Sequence, residues 1–184
     1  MKTQNVIITT LAGIALSGLF AFKMIEMKWK TVSKDVKIDF TMPNGKHSGT
    51  ITGLDAAIDF DPSQPNLASI KAVVDVKSLQ ADNSKLTDHL MTADFFDAAN
   101  HPQITFTSES VAATDTGFVA NGKLAMRDSV HTVSIPFKFI KAEGEEGASF
   151  KGTLDIFAGD YGVGKKSEKG NDRVVIAIEV PVTK

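Results

Sequence analysis

The chain has 184 residues, enough for one domain of ordinary size, and its 42% hydrophobic and 23% charged residues exclude a disordered or collagen-like polymer. Lys and Arg number 20 against 22 Asp and Glu, a formal charge of -2, so no broad basic field exists to hold a nucleic acid. The absence of cysteine removes disulfides, thiol nucleophiles, zinc-thiolate centres and a lipid-modified N-terminal cysteine together.

Lys2 precedes an uncharged run from Val6 to Phe22, and the next charge is Lys23, the layout of an export signal or a membrane anchor. Residues 1–28 are expected to be that signal or anchor helix, and residues 29–184 the folded domain. A signal core needs roughly 7–15 apolar residues and a spanning helix about 20, so length leaves both open. Phe20-Ala21-Phe22 puts bulky rings where a signal peptidase prefers small residues, which favours an uncut, membrane-attached fraction. The expectation is export to the periplasm.

From Lys34 onward the hydrophobic period is two. Val36, Ile38 and Phe40 alternate with polar residues, as do Ala56, Ile58 and Phe60, then Ile70, Ala72, Val74 and Val76. Between Asn83 and Asn100 the period lengthens. Asn83 or Ser84 can cap a short helix, Leu86 and Leu90 fall four apart, and Ala93, Phe95 and Phe96 follow. Period two returns at Ile104 and Phe106, from Val133 to Phe139, from Phe150 to Ile156 and from Val174 to Val182. Turn residues separate these runs at Pro43-Asn44-Gly45, Asp61-Pro62-Ser63, Asp115-Thr116-Gly117, Glu143 to Gly147 and Lys169-Gly170-Asn171. About eight antiparallel strands with one apolar face each predict an all-β, eight-stranded, lipocalin-like barrel, because closure hides every apolar face and leaves no edge. The short helix is expected to cap one end; a two-sheet sandwich is the competing architecture.

Several residues also carry a family resemblance. Trp29 before the first strand, Phe60-Asp61-Pro62, Asp75-Val76-Lys77-Ser78-Leu79, Leu90 with Asp94-Phe95-Phe96-Asp97, and Pro102-Gln103-Ile104-Thr105-Phe106-Thr107-Ser108 resemble the YceI-like family. The likeness continues through Gly122-Lys123-Leu124, Ile135-Pro136-Phe137 and Asp160-Tyr161-Gly162-Val163-Gly164, over about residues 29 to 184. It implies an exported barrel whose characterised members bind polyisoprenoids or similar long-chain amphiphiles inside.

Catalytic signals are thin. Gly159-Asp160-Tyr161-Gly162-Val163-Gly164-Lys165 fits a P-loop until the last position, where Lys166 replaces the Ser or Thr that would ligate magnesium, and a charged turn rather than a helix follows. His47, His89, His101 and His131 are dispersed and form no metal-ligand spacing. Gly-x-Ser-x-Gly does not occur, Ser48-Gly49 reads as a turn, and Asp59 should point outward beside the Asp61-Pro62 turn. The reading is therefore a binding protein rather than an enzyme, with no cofactor, no metal and no nucleic acid partner.

The barrel interior remains. Ile38, Phe40, Ile58, Phe60, Ile70, Ala72, Val74, Phe106, Ile135, Phe137, Gly152, Leu154, Ile176 and Ile178 are the candidate ligand-binding wall. Gly53, Ala72, Gly122 and Gly152 are the positions expected to leave room. An apolar wall with gaps suits an isoprenoid or fatty-acyl chain, while the same pattern also describes a filled core serving as scaffold or interaction domain. Lys165, Lys166 and Arg173 near a strand end are candidates for an anionic head group. The pattern leaves monomer and homodimer both open.

Overall fold

The computed structural model describes residues 28–42, 47–142 and 146–184. The expected N-terminal helix and most of the turns at Pro43-Asn44-Gly45 and Glu143 to Gly147 lie outside the described residues.

Within them the chain is an all-β antiparallel barrel with one short helix. The strands are β1 (Lys28–Thr31), β2 (Lys37–Thr41), β3 (Ser48–Ile51), β4 (Leu54–Asp59), β5 (Ser69–Asp75), β6 (Leu79–Ala81), β7 (Gln103–Thr114), β8 (Gly117–Met126), β9 (Ser129–Lys141), β10 (Gly147–Phe157) and β11 (Arg173–Thr183). Each of β1, β4, β5, β7, β8, β9, β10 and β11 pairs with the next, and β11 returns to β1, closing a ring of eight. The extra three strands are continuations. β2 pairs with β11 and β3 just as β1 pairs with β11 and β4, so β1 and β2 are the two halves of one bent strand. In the same way β3 runs into β4, and β5 into β6.

Two of the three bends, that between β3 and β4 and that between β5 and β6, are stitched at Gly53. Its N–H donates to Ser78 Oγ at 2.8 Å, its carbonyl accepts from the Asp75 N–H at 2.8 Å, and Ser78 Oγ donates to the Asp75 carbonyl at 2.7 Å. A Cβ on Gly53 would sit 2.7 Å from Ser78 Oγ, so only glycine permits this close crossing. The expected room at Gly53 is therefore already occupied. Gly122 corrects the same expectation, since a Cβ there would overlap the Thr107 carbonyl and lie 2.9 Å from the Phe106 ring. The ring lies over the bare backbone and fills the gap.

Other local readings are corrected too. Trp29 lies within β1 rather than before the first strand, and Ser48-Gly49 lies in β3 rather than in a turn. Val76 begins a single 3-10 turn, Val76–Ser78, which ends β5. A bulge between Ser108 and Ser110 on β7 resets the alternation, so that the buried residues step from Ile104 and Phe106 to Val111.

One end of the barrel is packed solid with aromatic rings. Phe60, 0% exposed, follows β4 and meets Phe118, Phe137, Phe139 and Phe150 at centroid distances of 5.0, 5.6, 5.2 and 5.4 Å. Trp29 stands edge-on to Phe139 and donates its indole N–H to the Phe60 carbonyl at 2.9 Å. The indole donor is thus satisfied inside the core, as burial of a Trp requires.

Candidate functional site

The opposite half of the barrel is hollow. Its inward residues surround a cavity of about 580 Å³ whose wall is almost wholly hydrocarbon. The reason lies in the cross-strand pairs. Ala56 on β4 faces Ala72 on β5, placing two methyl groups where larger side chains would meet, and Gly152 on β10 stands between Phe137 and Ile178 with no side chain. Voids of this kind persist because surrounding strands are held at fixed spacing and relax only partly into them.

Of the fourteen interior candidates, thirteen border this cavity. Ile38 and Phe40 come from β2, Ile58 from β4, and Ile70, Ala72 and Val74 from β5. Phe106 comes from β7, Ile135 and Phe137 from β9, Gly152 and Leu154 from β10, and Ile176 and Ile178 from β11. Phe60 is the exception. It belongs to the aromatic floor, with Phe137 and Phe150 between it and the hollow half.

A cap covers the mouth. The helix α1 (Ser84–Leu90) is capped by Asn83, whose Oδ1 accepts from the Leu86 N–H at 2.9 Å. It lays Leu86 and Leu90 on the cavity, and the turns after it add Phe95 and Phe96. Opposite lies the connection from β10 to β11, residues 158–172, which contributes Val163, Gly164, Lys165, Ser167, Asn171 and Asp172. The two halves of the cap are joined directly, the Gly164 N–H donating to the Asp94 carbonyl at 3.1 Å. Arg127, in the turn between β8 and β9 at φ 50°, clasps them both by donating from Nη1 to the carbonyls of Phe95 and Gly162. His131 adds a contact to the same connection, its Nε2 lying 3.0 Å from the Asp160 carbonyl and its ring edge-on to Tyr161. Burial, with some help from Asp160, pushes the Tyr161 hydroxyl up to about 12, so it stays neutral at any ordinary pH.

Two of the three cations considered for a head group already have protein partners. Arg173 forms a two-pronged pair with Asp155 at 3.0 and 2.7 Å, and Lys166 Nζ lies 2.6 Å from Asp160 Oδ1. That hydrogen bond and charge raise the Lys166 pKa. Lys165 alone of the three borders the cavity, from an exposed position. The former P-loop-like segment is the 158–172 connection itself, turning at Gly162 and Gly164 with φ of 72° and 71°.

With this geometry in hand, the whole folded region can be compared with known proteins. Residues 29–183 match the family model described as the YceI-like domain. The chain belongs to the YceI-like family. A UPF0312 protein of Azotobacter vinelandii is 29% identical over 139 residues, covering 72% of this chain and 71% of that one. Protein YceI of Escherichia coli O157:H7 is 26% identical over 141 residues, covering 68% and 72%. Among solved structures, BcnA of Burkholderia cenocepacia shares 25% identity with a TM-score of 0.75, covering 83% of this chain and 99% of that one. A polyisoprenoid binding domain from Saccharophagus degradans shares the fold at a TM-score of 0.58 and 11% identity, covering 85% and 97%.

In this YceI-like barrel, sequence reasoning missed a number of wall residues, Ile51, Leu54 and Leu79 among them, and two further groups are instructive. The first is Ala120, Leu124 and Met126 on β8, whose alternation was legible but whose small residues and Gly122 hid the strand. The second is Arg127. No local pattern marks it, because its partners Phe95 and Gly162 are more than 30 residues away in sequence.

Proposed function

We propose that the protein is an exported, periplasmic carrier that holds one long-chain amphiphile, a polyisoprenoid or similar lipid, in the hollow half of its barrel. The observation that carries this reading is the 580 Å³ apolar cavity under the cap. An engineered apolar cavity of about 150 Å³ in another protein already takes up benzene, so a space several times larger with the same kind of wall accommodates a chain. At roughly 0.8 kcal/mol per buried methylene, about ten methylenes supply roughly 8 kcal/mol, the scale of a micromolar complex before ordering costs. The name of the Saccharophagus degradans domain agrees with such a ligand.

A binding role also fits the character of the wall. Catalysis needs an acid, base or nucleophile converging on the bound molecule, whereas this wall offers hydrocarbon and leaves its polar groups at the rim. The apolar run from Val6 to Phe22 supports export, with membrane attachment where it is left uncut. Extracting the natively purified protein with organic solvent and identifying the extract by mass spectrometry tests the reading. One lipid per chain is expected; a bare chain that takes up no added polyisoprenoid would refute it.

A further inference from the structure

The ladder between β9 and β10 ends partway up the barrel. It runs from the Ala148–Lys141 pair to the Gly152–Phe137 pair and stops there. Both strands continue toward the mouth, β9 paired with β8 as far as Ser129 and β10 paired with β11 as far as Phe157. Residues 129–136 and 153–157 therefore flank a seam across which they do not pair. Pro136 explains the break. Its carbonyl points toward β10, 3.1 Å from where a Cβ on Gly152 would stand, and a strand residue directs its N and its C=O to the same side. The nitrogen facing β10 thus carries no hydrogen, a defect that sheets confine to unpaired edges. Above the break the two sides meet again at the rim, where His131 touches Asp160 and Tyr161. The seam is bounded at both ends.

We propose that this seam is the lateral portal of the carrier, the hydrocarbon chain entering and leaving sideways between β9 and β10 while the cap stays shut. This rests on the carrier reading and assigns its route. The inner side of the seam opens on the cavity, which Ile135, Leu154 and Ile156 border. On the outer side stand Val130 and Phe157, 61% and 45% exposed, two of the four large hydrophobic residues left in solvent among the described residues. One lies on each lip, where a chain leaving an apolar phase would first touch the protein. Parting the seam breaks no ladder hydrogen bond, only side-chain packing and the His131 contact. Lifting the cap instead breaks the Gly164–Asp94 bond and both Arg127 bonds. The seam is therefore the weaker boundary of the cavity.

Because the chain has no cysteine, the seam can be stapled cleanly. Ser134 and Asp155, exposed on opposite lips, are replaced together in Ser134→Cys/Asp155→Cys and bridged with bismaleimidoethane; the two single-cysteine variants given the same reagent are the controls. Stopped-flow mixing of the full chain with retinol, an isoprenoid whose fluorescence reports burial, gives the uptake rate. The stapled protein should fill at least about 10-fold more slowly than the controls and reach the same final occupancy, because the remaining route breaks three cap hydrogen bonds, each worth a factor of a few. Val130→Glu, at an exposed position, should slow uptake several-fold by itself, and it decides the matter if the bridged variant does not fold. Uptake at the control rate in the stapled protein, or at the wild-type rate in Val130→Glu, would overturn the portal and leave the carrier standing. A wild type that takes up no retinol would sink the carrier reading and the portal with it.

Discussion

The two halves of this barrel obey one alternation and reach opposite results. At the closed end Phe60 is surrounded by the rings of Phe118, Phe137, Phe139 and Phe150, with centroids 5.0 to 5.6 Å away. In the other half the inward set mixes Leu and Ile with Ala56, Ala72 and Gly152, and a void of about 580 Å³ remains. Alternation therefore dictates which face is inside, whereas the volume of facing pairs dictates whether the inside is full. One end is a conventional core that stabilises the barrel; the other is a container that the core holds open.

Truncations should separate the halves. Phe60→Ala removes a ring that touches four others and should cost about 3–5 kcal/mol in urea unfolding. Leu154→Ala, whose side chain already borders the void, should cost only about 2 kcal/mol, because part of its contact surface is absent from the start. Equal losses at the two sites would mean that the hollow half is packed as tightly as the floor.

The next effect is on the cap. Arg127→Met removes both clasping hydrogen bonds and should cost about 1.5 kcal/mol. Its more telling consequence is local: amide exchange should accelerate at residues 92–98 and 160–165 with little change in β10 and β11. Uniform acceleration throughout the barrel would mean that the cap is not a separate unit.

The smallest expected effect lies at the mouth end of β3. Hydrogen bonds from the Ser48 hydroxyl and N–H, with a contribution from His47, hold the Asp82 carboxyl below its ordinary value of 3.8. A depressed folded-state pKa stabilises the fold above the ordinary value, and that stabilisation is lost as pH falls through the folded one. Asp82→Asn should therefore lower the melting temperature slightly at neutral pH and leave it unchanged at the acid extreme. A constant difference at all pH values would contradict the assignment.

The inward face was legible in the sequence, whereas its division into a packed and a hollow half was not, since Phe60 was read as part of the wall. The strands from Val133 onward, the helix capped at Asn83 and thirteen wall residues follow from period alone. What escaped was non-local. The bends at Gly53 and Val76 exist because neighbouring strands cross closely there, and the bulge near Glu109 shifts the register without any turn residue to announce it. Gly122 looked like free space, but the diagonal Phe106 ring fills it, a contact that appears only once the register of β7 against β8 is known.

The most direct test of a container above a core is Ala72→Phe. Ala72 borders the void and faces Ala56 and Phe106 across the sheet. Titration with an apolar naphthylamine dye, alongside thermal melting, should give one saturable site per chain in wild type. The variant should lose that site and keep the wild-type melting temperature, because the ring enters existing space. Overpacking a filled interior would instead cost about 1–3 kcal/mol. A variant that melts early and binds dye as wild type does, or a wild type with no saturable site, would contradict the account.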